Sequence, residues 1–261
     1  MWQDERHKKI VDYLTAFGRV SIDQITEEIG VSRETIRRDL MELEQAGKLK
    51  RVRGGAVPLA KEDTDFHVRV NQRLLEKQAI ALEALNLLSN DMTVFIDAGT
   101  TTTVMAEVLA NYHGLSGLNI LTNSIDVARL LSGKESGSYH RYKVHLLSGD
   151  VRQDPLETWG ASTINDIYRY RADVALLAPW GIDPEQGAMN HFIHGAEIAR
   201  AMVRNSAKTI ILADHSKINA PARSVFCTID EISHLIVDRE ARDVPDFPAL
   251  ERAISSVIVS N

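Results

Sequence analysis

The sequence predicts an α/β protein in two parts, a small helical N-terminal module and a larger domain built on a mostly parallel sheet. Three observations lead there. The first 57 residues carry helical apolar stripes and end in a basic, strand-like stretch. Beyond about residue 70, short β-rich apolar runs alternate with helical patterns, the signature of a sheet covered on both faces. Between them lies a polar stretch, Pro58 to Asp65, that reads as a connection. The expected boundaries are therefore 1–57, a linker over 58–70, and 71–261.

Arg6 to Phe17 places Ile10, Tyr13, Leu14 and Phe17 on one helical face. Ser21 then caps a second helix whose buried side is Ile22, Ile25 and Ile29, and Gly30 supplies the left-handed residue that stops it. Ser32 caps a third helix with Ile36, Leu40 and Leu43 as its core stripe. Arg33, Thr35, Arg37 and Arg38 fall off that stripe in the N-terminal half of the helix, where a recognition helix meets base edges. Lys48-Leu-Lys50-Arg51-Val-Arg53 alternates basic with apolar residues as the strands of a wing do, and Gly54-Gly55 lets the chain turn away. The pattern predicts a winged helix-turn-helix for double-stranded DNA rather than a helical protein-interaction module, with Ser32, Arg33, Thr35, Arg37, Arg38, Lys50, Arg51 and Arg53 as the expected contacts. An arginine fork on guanine contributes ~1–3 kcal/mol of sequence discrimination, whereas a phosphate contact orients the protein and gives salt-dependent affinity. The sequence leaves open which arginine does which.

Charge supports this only locally. The net charge is −6, yet Ser32 to Arg53 holds seven Lys/Arg against four Asp/Glu, leaving −9 for the remainder. A basic element on an acidic body binds DNA while discouraging indiscriminate adhesion. The single cysteine, Cys227, excludes an intrachain disulfide and a cysteine-rich zinc site, which suits a reducing cytoplasm. No apolar run reaches membrane-spanning length, and the N-terminus lacks the form of a signal peptide.

In the larger domain the apolar runs begin at Thr93, Asn119, Lys143, Val174, Thr209, His234 and Val257, with helical patterns at Glu76–Leu88, Val104–Ala110 and Ala196–Asn205 among them. Ligands of such sheets bind beyond the carboxyl ends of the strands, so the strand ends carry the information. The first ends in Asp97-Ala-Gly99-Thr-Thr-Thr-Thr103, where glycine admits a close ligand and hydroxyls with helix amides could cradle an anion. A threonine-capped turn explains the same residues. Others end in Thr122-Asn-Ser, in Ser148-Gly-Asp-Val-Arg152, in Pro179-Trp-Gly-Ile-Asp, and in Ala213-Asp-His-Ser-Lys217. Arg152 and Lys217 are cations placed to meet a phosphate, although a lone loop lysine is usually just solvated. Together these ends describe a site for a small polyhydroxy phosphate. Neither G-x-G-x-x-G nor the phosphate-loop pattern occurs, so no nucleotide cofactor is expected.

Val31-Ser-Arg-Glu-Thr-Ile-Arg-Arg-Asp-Leu40, Leu43-Glu-Gln-Ala-Gly47 and Arg53-Gly-Gly-Ala56 resemble the DeoR family of bacterial transcription regulators. Asp97-Ala-Gly-Thr-Thr-Thr102, Thr122-Asn-Ser124, Gly181-Ile-Asp183 and Asp214-His-Ser-Lys217 extend the resemblance over nearly the whole chain. It implies a winged-helix regulator, usually a repressor of a sugar or polyol operon. Its effector domain would be similar in fold to ribose-5-phosphate isomerase and sense a phosphorylated sugar. By the same resemblance, effector contacts come from Asp97, Gly99, Thr100, Thr101, Thr102, Thr122, Asn123, Ser124, Arg152, Gly181 and Lys217. A cytoplasmic homo-oligomer, dimer or tetramer, with no cofactor, no metal and no membrane partner, completes the expectation. The chain departs from the family pattern at Ser148, at Glu157 and at His191-Phe-Ile-His194.

Two alternatives remain at this stage. One is a sugar-phosphate isomerase with an accessory DNA-binding module, which needs a positioned base that only His194 or Glu157 could supply. The other is a metal site built from His191, His194 and His215.

Overall fold

A computed structural model describes residues 3–17, 20–52, 54–57, 66–133 and 141–261; within the first helix the side chains of residues 4, 12 and 15–17 are not described. The chain divides into two compact units, 1–65 and 66–261. Arg53, the Phe17 side chain and residues 58–65 of the expected linker lie outside the described residues.

The small unit follows the sequence closely. Helices α1 (Gln3–Phe17), α2 (Ile22–Ile29) and α3 (Arg33–Gln45) enclose a core of Ile10, Leu14, Ile25, Ile29, Ile36, Leu40, Leu43 and Leu49. The caps are those the residue types predict. Ser21 and Gln24 form a reciprocal capping box, Gly30 is left-handed at φ 71°, and Ser32 Oγ accepts the Thr35 amide at 3.1 Å. Strands β1 (Val20–Ser21), β2 (Lys50–Val52) and β3 (Gly55–Val57) pair antiparallel in the order β1-β3-β2, which is the wing. Gly54 and Gly55 do not lead the chain away, as the sequence suggested. Gly54, at φ 87°, turns the hairpin, and Gly55 begins its return strand, where a Cβ would come within 1.9 Å of the Val20 carbonyl oxygen.

In the large unit the seven apolar runs become β4 (Thr93–Ile96), β5 (Asn119–Thr122), β6 (Lys143–Leu146), β9 (Ala172–Leu177), β12 (Ser206–Ala213), β14 (His234–Val237) and β15 (Val257–Val259). They form one seven-stranded sheet, order β15-β14-β12-β9-β4-β5-β6, with every neighbouring pair parallel. Period-two alternation divides the core between the two faces. Val94 and Ile96 pack with Ile80 and Ala84 of α5 (Leu74–Leu85), Met105 and Leu109 of α6 (Thr100–Asn111) and Val127 of α7 (Ile125–Leu131). Phe95 and Ala175 face the opposite layer, with Met202 of α9 (Ile193–Arg204) and Phe247 and Leu250 of α10 (Phe247–Ala253).

Three features were not read from the sequence. Residues assigned to the end of the linker form α4 (Phe66–Asn71), which belongs to the large unit. Lys77 secures that helix, donating from Nζ to the carbonyls of Arg69 at 2.5 Å and Val70 at 3.3 Å; burial first of all lowers its pKa to about 8. A hairpin of β7 (Asp150–Gln153) and β8 (Leu156–Trp159) follows β6 and precedes α8 (Ala161–Ile167). Finally, β10 (Gly181–Asp183), β11 (Gly187–Asn190) and β13 (Ser224–Cys227) make a small antiparallel sheet. No helix among the described residues is long and apolar enough to cross a membrane.

Candidate ligand cavity and nucleic-acid interface

The strand order locates the site. From β4 the chain first builds outward through β5 and β6, then returns to add β9 on the other side and continues to β12, β14 and β15. The connections after β4 and β9 therefore diverge, and such a switch point leaves a crevice beyond the strand ends. An open cleft of about 700 Å³, counting its mouth, occupies that crevice.

Asp97 holds the crevice together. Its Oδ1 accepts from Thr102 Oγ1 at 2.8 Å and the Gly99 amide at 3.2 Å, and its Oδ2 accepts from the Ala178 amide at 3.1 Å, linking the ends of β4 and β9. Gly99 is required there, because a Cβ would lie 2.5 Å from that of Ala178. Ala98, Gly99 and Thr100 carry the N-terminus of α6 to the cavity wall. Burial pushes the Asp97 carboxyl up to about 7 against the pull of its three hydrogen bonds.

Opposite stand three cations and three aromatic rings. Arg69 of α4 lies 4.9 Å from the centre of the Trp180 ring and Lys217 lies 5.4 Å from it, while Arg152 stacks over Phe192 at 4.5 Å. Phe66 completes the aromatic lining. Arg152 sits across the hairpin from Glu157, with 4.0 Å between Nη1 and Oε1. Glu157 is buried, and burial raises its pKa to about 7; Arg152 opposes that shift and nearby Asp97 reinforces it.

These two raised carboxyls predict a pH dependence. Each binds its proton more tightly folded than unfolded, so their contribution to stability is complete below the unfolded values near 4 and is lost as pH rises through about 7. For Glu157 the rise from 4.5 to about 7 corresponds to on the order of 3 kcal/mol. Thermal melts of Glu157→Gln should therefore show a flatter decline than wild type between about pH 5 and pH 8. A wild-type slope retained in the variant would contradict the assignment.

Of the residues expected at the effector site, Asp97, Gly99, Thr100, Asn123, Arg152 and Lys217 line this cavity. The others do not. Thr101 is buried in the first turn of α6, and Thr102 bonds Asp97 and the Gly99 amide. Thr122 donates to the Ile96 carbonyl at 2.7 Å, and Ser124 caps α7 by accepting from the Val127 amide at 3.2 Å. Gly181 lies in β10, where a Cβ would come within 2.0 Å of the Ala220 carbonyl oxygen. These five side chains or positions shape the loops without reaching the cavity. His194 is also outside it, 3.6 Å from Glu197 and with its ring tilted at 60° against that of Trp159, 5.0 Å between centroids. Among the described residues, the groups with metal-compatible spacing are His7/Asp39/Glu42 and His215/Asp238/Glu240, so His191, His194 and His215 do not converge on one ion.

In the small unit, Arg33, Arg37 and Arg38 project from the exposed side of α3, and Lys50 and Arg51 from the wing. Arg33 pairs with Asp23 at 2.5 Å and Arg51 with Glu44 at 3.2 Å, while Arg37 is only 3.8 Å from Glu34. Ser32 and Thr35 hydrogen-bond each other at 2.8 Å in the cap.

Residues 6–62 match the DeoR-like helix-turn-helix domain, and residues 72–239 match the DeoR C terminal sensor domain. The chain belongs to the DeoR family of DNA-binding transcription regulators. Among DeoR proteins, a glycerol-3-phosphate regulon repressor of Escherichia coli (strain K12) is 32% identical over 246 residues, 94% of this chain and 92% of that one. The transcriptional regulator GolR of Listeria innocua is 31% identical over 242 residues, 92% of each. A ribose-5-phosphate isomerase in complex with phospho-erythronic acid overlaps 54% of this chain and 52% of its own at 18% identity and TM-score 0.39, too slight a likeness to carry chemistry.

For this DeoR chain, sequence reasoning passed over Phe66, Arg69, Trp180 and Phe192 as cavity residues. Arg69 had no local signal, since it lies in a six-residue helix counted as linker. Trp180 could have been found: it stands next to Gly181 at a strand end already marked as informative.

Proposed function

We propose that the protein represses a sugar or polyol utilisation operon and is released from its operator by a phosphorylated polyhydroxy effector held in the cavity at the sheet's switch point. One observation carries this reading: Arg69, Arg152 and Lys217 converge with the N-terminus of α6 on a single cleft. Charge-assisted donors and free helix amides together suit a dianionic phosphate. The names of relatives, repressors among them, support the repressing sign. Release requires that effector bind the DNA-free arrangement more tightly, since only differential affinity shifts an equilibrium. A cytoplasmic homo-oligomer, dimer or tetramer, fits this scheme, because paired recognition helices read half-sites ~34–36 Å apart or multiples of it. The protein regulates and does not turn substrate over, which agrees with the names of its relatives.

The test is a thermal-shift screen of phosphorylated sugars and polyols on the full chain. A compound at a hundred times its dissociation constant stabilises by about 2.7 kcal/mol. Arg152→Ala with Lys217→Ala should remove that shift and also effector-driven release of DNA in an anisotropy titration. A double variant that still releases DNA at the wild-type effector concentration would move the site elsewhere. Isomerisation of any compound that binds would favour the enzyme reading, with Glu157 as the base within reach.

A further inference from the structure

The cleft has a second wall, made of acceptors. Asn123 is 2% exposed, and its Nδ2 donates to Glu157 Oε2 at 2.9 Å and to the Thr158 carbonyl at 3.3 Å. Those two bonds set the orientation of the amide and leave Asn123 Oδ1 buried with no hydrogen-bond partner. Glu157 Oε1 stands 4.0 Å from Arg152, beyond hydrogen-bond reach. Both residues line the cavity. Asp97 differs from them, since both its oxygens already accept from Thr102, Gly99 and Ala178.

A buried acceptor left unmatched is costly, so the complement of this wall is a ligand that brings hydrogen-bond donors. We infer that Glu157 and Asn123 Oδ1 select an effector bearing hydroxyl donors, a polyol or sugar phosphate, and reject the corresponding phosphorylated sugar acid. The inference rests on the phosphate-effector reading above and adds what the rest of the ligand must offer. With the phosphate at Arg69, Arg152 and Lys217, the carbon chain extends toward Glu157 and Asn123. A hydroxyl there donates to either oxygen. A carboxylate there offers no donor and meets a like charge inside a partly dry cleft, which opposes binding. A site built to hydrogen-bond a substrate hydroxyl discriminates strongly, because its own polar atoms go unpaired with the wrong ligand.

The experiment is titration calorimetry on the full chain with matched pairs: the terminal phosphate esters of glycerol, ribitol and glucitol, each beside that of its acid, glyceric, ribonic or gluconic. Inorganic phosphate is the control. Whichever polyol ester binds best should exceed its acid partner at least tenfold at about pH 8, and Glu157→Gln should reduce that ratio several-fold. Should the variant fold poorly, wild type at about pH 6 gives the same information. Protonation of Glu157 and of nearby Asp97, both raised by burial to about 7, then narrows the ratio, while the second ionisation of phosphate is common to both members and cancels. An acid that binds as well as its polyol, or a ratio unchanged in Glu157→Gln, overturns the inference and leaves the phosphate site standing. Binding of inorganic phosphate with none of the polyol esters does the same. Failure of every phosphate, inorganic included, removes the phosphate-effector reading itself and the inference with it.

Discussion

Replacing Arg37 and Arg38 together by alanine should weaken binding to the preferred operator by at least about thirtyfold and leave the melting profile of the chain unchanged. The two side chains stand on the exposed side of α3, opposite Ile36, Leu40 and Leu43, so no packing is lost with them. Among the described residues, the only ion pair that either makes, Arg37 to Glu34, spans 3.8 Å at 63% and 86% side-chain exposure and contributes little. Two arginine contacts at ~1–3 kcal/mol each account for the expected loss. Fluorescence anisotropy on a duplex selected from a random pool by the wild-type protein measures it. The salt dependence then separates the roles left open by sequence. Loss of a phosphate contact lowers the slope of log affinity against log salt by about 0.9, whereas loss of base readout reduces preference for the selected duplex. Affinity within threefold of wild type would remove these arginines from the interface.

An effect of comparable size is expected at a residue that touches no DNA. Asp39 is fully buried, accepting from Arg6 Nε at 2.8 Å and Arg6 Nη2 at 2.9 Å, with His7 Nε2 at 3.3 Å. The pair joins α1 to α3 behind the recognition surface. Asp39→Ala removes the fully buried half of this ion pair, and breaking a buried pair costs about 3–5 kcal/mol. That is a large share of the stability of any small domain. Calorimetry of the full chain should show an early transition for the small unit, and DNA binding should vanish with it. Asp39→Asn, which keeps one acceptor, should fall between. A single transition at the wild-type temperature in Asp39→Ala would show the ion pair to be dispensable.

Asp39 also shows where sequence reading stops. Between Ser32 and Leu40 it counts as one more charge on a mixed-charge helix. Three residues after Ile36, however, it lies at the edge of the core stripe, and only the fold supplies the arginine that makes its burial tolerable. Arg69 is a parallel case. Nothing within its own segment distinguishes it from other exposed basic residues, and it becomes a cavity residue because Lys77 holds α4 beside Trp180. The threonines after β4 went the other way. Their hydroxyls promised ligand contacts, yet those of Thr102 and Thr103 are spent on Asp97 and on the Gly99 backbone.

By itself the sequence determined the elements and the class of protein: the caps at Ser21 and Ser32, the core stripes, the wing, the seven parallel strands and membership of the DeoR family. Those features depend on local periodicity, on capping chemistry and on contiguous motifs, all of which are written in consecutive residues. Tertiary structure alone decided strand order, and with it the switch point between β4 and β9 where the cavity opens. It also decided which polar residues face that cavity and which are consumed in holding its loops. Strand order and side-chain pairing join residues up to about a hundred and fifty positions apart, as Arg69 and Lys217 on one tryptophan illustrate. Contacts at that separation follow from how the apolar faces pack against one another, and no local pattern encodes them.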